Sequence, residues 1–344
     1  MVTPRMPSVR RTCRAVVNNS ARNDPWWYGD GISSAYPDVS IDNKVSSAYI
    51  SIMALLPDLT TLSRRTVLIT GATSGIGRAV ADAAAEHGAR VILAVRNLEA
   101  GRAVASALDG GLDRHLVAHV DLADLSSVHR LGATVTEPID ILVNNAGVSC
   151  QRLERTTDGF EMQFGTNHLG HFALTALLLP RVSGRIVTVA SQAERAARLE
   201  FDDLNWTRRP YRASRAYADS KLANVLFTAE LTRRLQQQKS PVTAFAAHPG
   251  LVKTAIYSRT ADDKVGLWDR LVPVLGQSSA AGAQPVLLAM TADLPSGTFT
   301  GPRHWGHMRG AAQPIGRSAR ARNHDLARRL WTMSEDMTSV SMPT

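Results

Sequence analysis

The sequence predicts an α/β fold, with one doubly wound parallel sheet over residues 61–344 and an extension over residues 1–60. Three observations predict it. Short β-branched runs alternate with helix-patterned stretches from residue 65 onward, the rhythm of βαβ units. The first run passes directly into a glycine-rich turn. The first 60 residues show no sustained periodicity.

The extension mixes Pro, Gly, Ser, Asn and Arg and is expected to be disordered. It lacks an apolar h-region, which argues against a targeting signal. Met53, just upstream of the first strand, is a candidate start of translation. "TVLIT" (66–70) reads as the first strand, followed by a helix over 76–87 and the strand "RVILAV" (90–95). Helices over 98–108 and 124–134 flank the strand "HLVAHV" (115–120), and "IDILVN" (139–144) is the fourth strand. A long helix around 157–180, the strand "GRIVTVA" (184–190), a helix over about 214–237 and the strand "PVTAFAAH" (241–248) follow. "GTFTG" (297–301) reads as a last strand. Near-continuous apolar strands between helices imply a sheet covered on both faces.

"TGATSGIG" (70–77) opens the first helix straight after the first strand. Gly71 allows the tight turn, Gly75 leaves room for a pyrophosphate, and Gly77 lets the helix pack close to the sheet. The helix N-terminus offers N–H groups and a favourable dipole to phosphates. This is a Rossmann-type dinucleotide turn. NAD-selective sites place an acid at the end of the second strand to accept from the ribose 2′-OH. Here Arg96 stands there, and a guanidinium suits a 2′-phosphate. Arg78 is placed to help. The expected cofactor is NADP, with NAD as the alternative.

"AYADSK" (216–221) sets Tyr217 four residues before Lys221, one turn apart on the same helical face. A tyrosine hydroxyl titrates near ~10, and a neighbouring ammonium favours the phenolate. Tyr211 also stands four residues before a cation, Arg215. Arginine cannot be tuned as lysine can, and Tyr211 follows Pro210 in a polar insertion, so Tyr217 is the candidate acid/base.

Apolar residues make up 44% and charged residues 20% of the chain, as suits a globular protein with a sizeable core. No apolar run reaches transmembrane length. Cys13 and Cys150 belong to no CxxC or Cys/His cluster, so neither a metal site nor a disulfide is expected, in keeping with a cytoplasmic location. The net charge of +9 is spread along the chain, with a modest arginine excess over 316–330 and no nucleic-acid signature. It reads as solvated surface rather than a nucleic-acid interface. His168 and His171 lack the neighbours of a triad or a metal centre and read as helix-packing or polar-contact residues, and Cys150, which could line the site, reads as a passive buried thiol.

Taken in order, these motifs resemble the short-chain dehydrogenase/reductase family over about residues 62–335. "TGATSGIG" resembles its nucleotide loop, implying cofactor contacts from Gly71, Thr73, Ser74, Gly75, Ile76 and Gly77. "VDL" (120–122) resembles its adenine-contacting segment, carried by Asp121 and Leu122. "NNAG" (144–147) resembles its structural signature, with Asn145, Ala146 and Gly147 along the cofactor. "NHLGHF" (167–172), "IVTVAS" (186–191), "YADSK" (217–221) and "HPG" (248–250) follow at suitable intervals. "NHLGHF", "FDDLNW" and the tail "GPRHWGHMRG…SARARNHDLARRLW" are most similar to the retinol-dehydrogenase-like branch and its bacterial members.

The resemblance implies an oxidoreductase that interconverts a carbonyl compound and an alcohol. Tyr217 is then the general acid/base. Lys221 lowers its pKa and bonds the nicotinamide ribose. Ser191 steadies the substrate oxygen, and Asn167 holds a water linking the lysine to solvent. Pro249 and Gly250 turn the chain so that Val252 and Thr254 approach the nicotinamide. Ser191 and Tyr217 stand 26 residues apart, which fits the insertion carried by that branch. The rival readings are a non-catalytic NAD(P) sensor on the same fold, which would have lost Tyr or Lys, and a charge-driven nucleic-acid or membrane-surface protein. The segment over about 251–280 is expected to form a lid over a lipophilic small-molecule substrate. A homo-oligomer is left open.

Overall fold

The computed structural model describes residues 57–252 and 276–342. The extension before residue 57, with its expected disorder, the expected lid over its residues 253–275 and Thr254 lie outside these residues. The described chain starts in a turn, Leu59–Leu62, whose N-terminal N–H is capped by Asp58 and whose Leu62 is fully buried.

Seven strands run parallel: β1 (Thr66–Thr70), β2 (Arg90–Val95), β3 (Leu116–His119), β4 (Ile139–Asn144), β5 (Val182–Val189), β6 (Thr243–Ala247) and β7 (Phe299–His304). An eighth, β8 (Arg309–Pro314), pairs antiparallel with β7 at the edge. The spatial order is β3-β2-β1-β4-β5-β6-β7-β8. The chain therefore winds outward from β1 to β3 and returns to the other side at β4. That reversal opens a crevice beyond the C-terminal ends of β1 and β4, where open α/β sheets bind ligands.

Alternating side chains build the two covered faces. Val67 and Ile69 of β1, with Val91 and Leu93 of β2, pack against helices α1 (Gly75–Glu86) and α2 (Leu98–Ala107). Leu68 and Ile92 face the other way, toward α3 (Leu125–Thr134), α4 (Gly170–Leu178) and α5 (Ala213–Gln237). Two further helices complete the layers. α6 (Ser279–Thr291) adds Val286, Leu287 and Met290 to the first face. α7 (His324–Thr338) adds Trp331 to the second, stacked on Phe227 with ring centroids 5.9 Å apart.

The strands through β4 and their helices fall where the sequence predicts, within a residue or two. The helix expected over 157–180 is different. It begins at Met162, because the Glu161 carboxylate accepts from the Phe164 N–H and so caps the first turn. It also contains a π turn, Gly165–Leu169, before α4. Helices α6 and α7 and strand β8 were not anticipated.

Candidate active site

The glycine-rich turn binds β1 to β4 through a threonine. Thr70 Oγ1 accepts from the N–H groups of Asn145 (2.9 Å) and Ala146 (3.0 Å), and Asn145 Nδ2 donates to the Thr70 carbonyl at 2.8 Å. Gly71 has φ +69°, and a Cβ there would lie 2.9 Å from Ala146. A Cβ on Gly77 would press into the Gly71 carbonyl and the Asn145 amide. The first turn of α1 carries no side-chain cap at Ser74 and no acid, so its N–H groups stay available to an anion. By contrast α2, α3, α6 and α7 are each capped by a side chain, from Asn97, Asp124, Ser278 and Asn323.

Gly71, Thr73, Ser74, Gly75, Ile76 and Gly77 line one cleft of about 350 Å³, together with Arg96, Asp121, Leu122, Asn145, Ala146 and Gly147. The residues expected on the adenosine and phosphate half are thus gathered on it except Arg78, whose guanidinium is turned to the Asp82 carboxylate at 2.7 Å. Arg96 is exposed at its rim, just past β2. Asp121 is fixed by accepting from the Ala123 N–H at 2.9 Å.

Ser191, Tyr217, Lys221, Pro249, Gly250 and Val252 line an adjoining pocket, which shares Ile76, Asn145 and Gly147 with the cleft. Tyr217 is half-buried on α5, and Lys221 Nζ lies 5.7 Å from its ring centroid. Lys221 is buried and donates to the Val189 carbonyl at 3.2 Å. Burial pulls its pKa down to about 8. Ser191 caps the short turn after β5 by accepting from the Ala193 N–H at 3.2 Å, which leaves its own O–H free to rotate.

Asn167 sits in the π turn, fully buried, and does not line the pocket. Its Oδ1 accepts from the Val148 N–H (2.7 Å), and its Nδ2 donates to the Val148 carbonyl (3.0 Å) and Ser220 Oγ (3.0 Å). A Cβ at Gly147 would be 3.2 Å from Asn167 Oδ1 and 3.6 Å from Lys221 Nζ, so both side chains end beside this glycine.

Tyr211 is engaged elsewhere. Its hydroxyl donates to Glu161 Oε1 (2.8 Å) and accepts from Gln163 Nε2 (2.7 Å), and burial followed by the Glu161 charge raises its pKa. His168, His171 and His248 are buried, with pKa values lowered chiefly by burial. Burial pushes the Cys150 thiol up to about 11, so it is not an activated nucleophile. Two residues outside the expected set support the loop after β6. Gln277 Nε2 donates to the Pro249 carbonyl (2.7 Å), and the Met308 carbonyl accepts from the Leu251 N–H (3.0 Å). Both come from elements with no local signal toward that loop. Among the described residues no group of side chains is arranged to hold a metal ion, and no helix is long and apolar enough to cross a membrane.

The fold and the cleft at its switch point define a dinucleotide-binding protein. The chain belongs to the short-chain dehydrogenase family, whose description matches residues 65–265. It falls in the retinol-dehydrogenase-like branch. It is 40% identical over 302 residues to retinol dehydrogenase 13 of Homo sapiens, covering 84% of this chain and 88% of that protein. An uncharacterised protein from Mycobacterium Paratuberculosis has a crystal structure 45% identical in sequence with a TM-score of 0.72, covering 84% of this chain and 97% of that one. A short chain dehydrogenase from Burkholderia cenocepacia, solved in complex with NADP, is 25% identical with a TM-score of 0.55, covering 69% and 96%.

Proposed function

We propose that the chain is an NADP-dependent carbonyl reductase or alcohol dehydrogenase for a lipophilic substrate, with Tyr217, Lys221, Ser191 and Asn167 as its catalytic set. One observation carries this reading: Ser191, Tyr217 and Lys221 line a pocket that shares three residues with the glycine-rich cleft. The uncapped first turn of α1 suits a dinucleotide's phosphates, and the close packing at Gly71 and Gly77 holds that turn against the end of β4. When bound, the nicotinamide supplies or accepts the hydride.

The rest belongs to the chain. Tyr217 gives its phenolic proton to the substrate oxygen in reduction and takes it back in oxidation. Lys221, one helical turn on, stabilises the phenolate with its ammonium. The Ser191 hydroxyl donates to the same substrate oxygen and steadies its developing charge. Asn167 fixes Val148 and Ser220, and so the wall behind Gly147 and Lys221. Ile76, Val189, Ala190, Pro249 and Val252 give the pocket its apolar share, which favours a lipophilic carbonyl compound. Relatives named for retinol point the same way. The test is NADPH oxidation followed by absorbance with a panel of lipophilic aldehydes and ketones. A chain that binds cofactor yet turns over none of them is a sensor, not this enzyme.

Arg96 sets the cofactor choice in this reading. Arg96→Asp replaces attraction for a 2′-phosphate by repulsion. Charge-assisted hydrogen bonds contribute roughly 1.5–3 kcal/mol, so NADP should bind about tenfold or more weakly while NAD is spared or improved. Fluorescence titration of both cofactors checks it. Unchanged NADP affinity in the mutant would mean that Arg96 points into solvent.

A further inference from the structure

His171 joins the two halves of the site. Its Nδ1 lies 3.0 Å from the Asn167 carbonyl oxygen, and its Nε2 lies 2.8 Å from Thr70 Oγ1. All three residues are buried. A carbonyl can only accept, so the proton sits on Nδ1. Burial draws the imidazole pKa down to about 4; the bond to Asn167 opposes this and the Lys221 charge adds to it. The ring is therefore neutral at ordinary pH, and Nε2 is an acceptor. The Thr70 hydroxyl donates to it at 2.8 Å, much closer than the other acceptor it faces, the Val143 carbonyl at 3.4 Å. The Thr70 oxygen in turn accepts from the amides of Asn145 and Ala146. The bonds form one directed chain, from the Asn145 and Ala146 amides through Thr70 to His171 and on to the Asn167 carbonyl.

We propose that His171 is a positioning residue, tying the cofactor cleft at Thr70, Asn145 and Ala146 to the π turn that holds Asn167. It deepens the proposed function, and only its kinetic readout rests on that reading. The carbonyl and the hydroxyl it serves are buried, so deleting the imidazole strands both ends of the link. A histidine that only fills space would be replaced by phenylalanine at little cost to cofactor or rate.

The experiment compares His171→Phe, which keeps an aromatic ring and loses both bonds, with His171→Gln, whose amide NH2 can donate and whose carbonyl can accept. His171→Phe is expected to weaken NADP binding about tenfold and to lower kcat about tenfold, with the KM for the carbonyl substrate little changed. His171→Gln should recover both to within about threefold. A folded His171→Phe protein with wild-type cofactor affinity and kcat overturns the proposal. Histidine ¹⁵N NMR on the wild-type protein, assigned by the signal lost in His171→Gln, gives a second measurement that needs no folded Phe variant. It should show His171 as a neutral Nδ1–H tautomer that does not titrate between about pH 5 and 9. An Nε2–H tautomer, or titration in that range, also overturns it. Cofactor titration needs no turnover. A wild-type protein inactive on every carbonyl would remove the proposed reaction and leave this link to be decided by affinity and tautomer.

Discussion

Tyr217→Phe is expected to bind NADP as the wild-type protein does and to lose about 10²–10⁴-fold in kcat, the usual contribution of a positioned proton donor. The substitution leaves the ring, its place on α5 and the Lys221 side chain 5.7 Å from its centroid, and removes only the hydroxyl. Among the described residues no other phenol can take over. Tyr211, the other tyrosine preceding a cation by four residues, has its hydroxyl bound by Glu161 and Gln163. Single-turnover rates with NADPH and an aldehyde measure the effect directly. A mutant that retained more than about a tenth of the wild-type rate would remove Tyr217 from the role of general acid.

Trp331→Ala should destabilise the protein by about 3–5 kcal/mol, the range for truncating a large buried aromatic. Trp331 is 2% exposed, stacks on Phe227, meets Phe172 edge-on at 5.2 Å and lies under the Arg234 guanidinium at 4.3 Å. It is the main apolar anchor of α7 on α5 and α4. His168 reaches the same helix by bonding Ser334 at 2.9 Å, so loosening α7 also frees the neighbour of Asn167. Equilibrium urea unfolding gives the number. A loss below about 1 kcal/mol would show that α7 is held by its other contacts.

The parts of the fold that were legible are those whose signal is local. Strand and helix alternate through β4 with short connections, and the glycines of 71–77 mark their own turn. The parts that were missed depend on distant partners. Helix α6 carries Gly282 and Pro285 within an Ala-rich run, and both look like breakers. It holds because Ala283, Val286 and Leu287 pack on the α1 side of the sheet, while Thr300 Oγ1 donates to the Pro285 carbonyl at 2.7 Å. Strand β8 exists only because β7 offers an edge, across a tip where Trp305, Gly306 and His307 all have positive φ. The spacing of Ala327, Leu330, Trp331, Ser334 and Thr338 was a readable helical stripe for α7, obscured by the arginines around it. In the site, side chains at strand ends and on α5 were found from their motifs. The π turn and the supports from Gln277 and Met308 were not, because each is made by tertiary packing.

Lys221 has a consequence for proton linkage. Its ammonium releases its proton at about pH 8 in the folded protein, against 10.5 for an unperturbed lysine. Between those values the unfolded chain binds more protons than the native one, so this residue makes stability rise with pH across that window. Below pH 8 the native state carries the full cost of a buried charge. Above 10.5 that cost is gone. Lys221→Met should therefore raise the melting temperature relative to wild type more at pH 7 than at pH 10, and the gap between the two proteins should narrow steadily between them. A gap that stayed constant with pH would mean that the ammonium is solvated through the pocket mouth. A narrowing gap would make Lys221's contribution to stability rise toward alkaline pH, the opposite of what a surface lysine paired with a carboxylate gives.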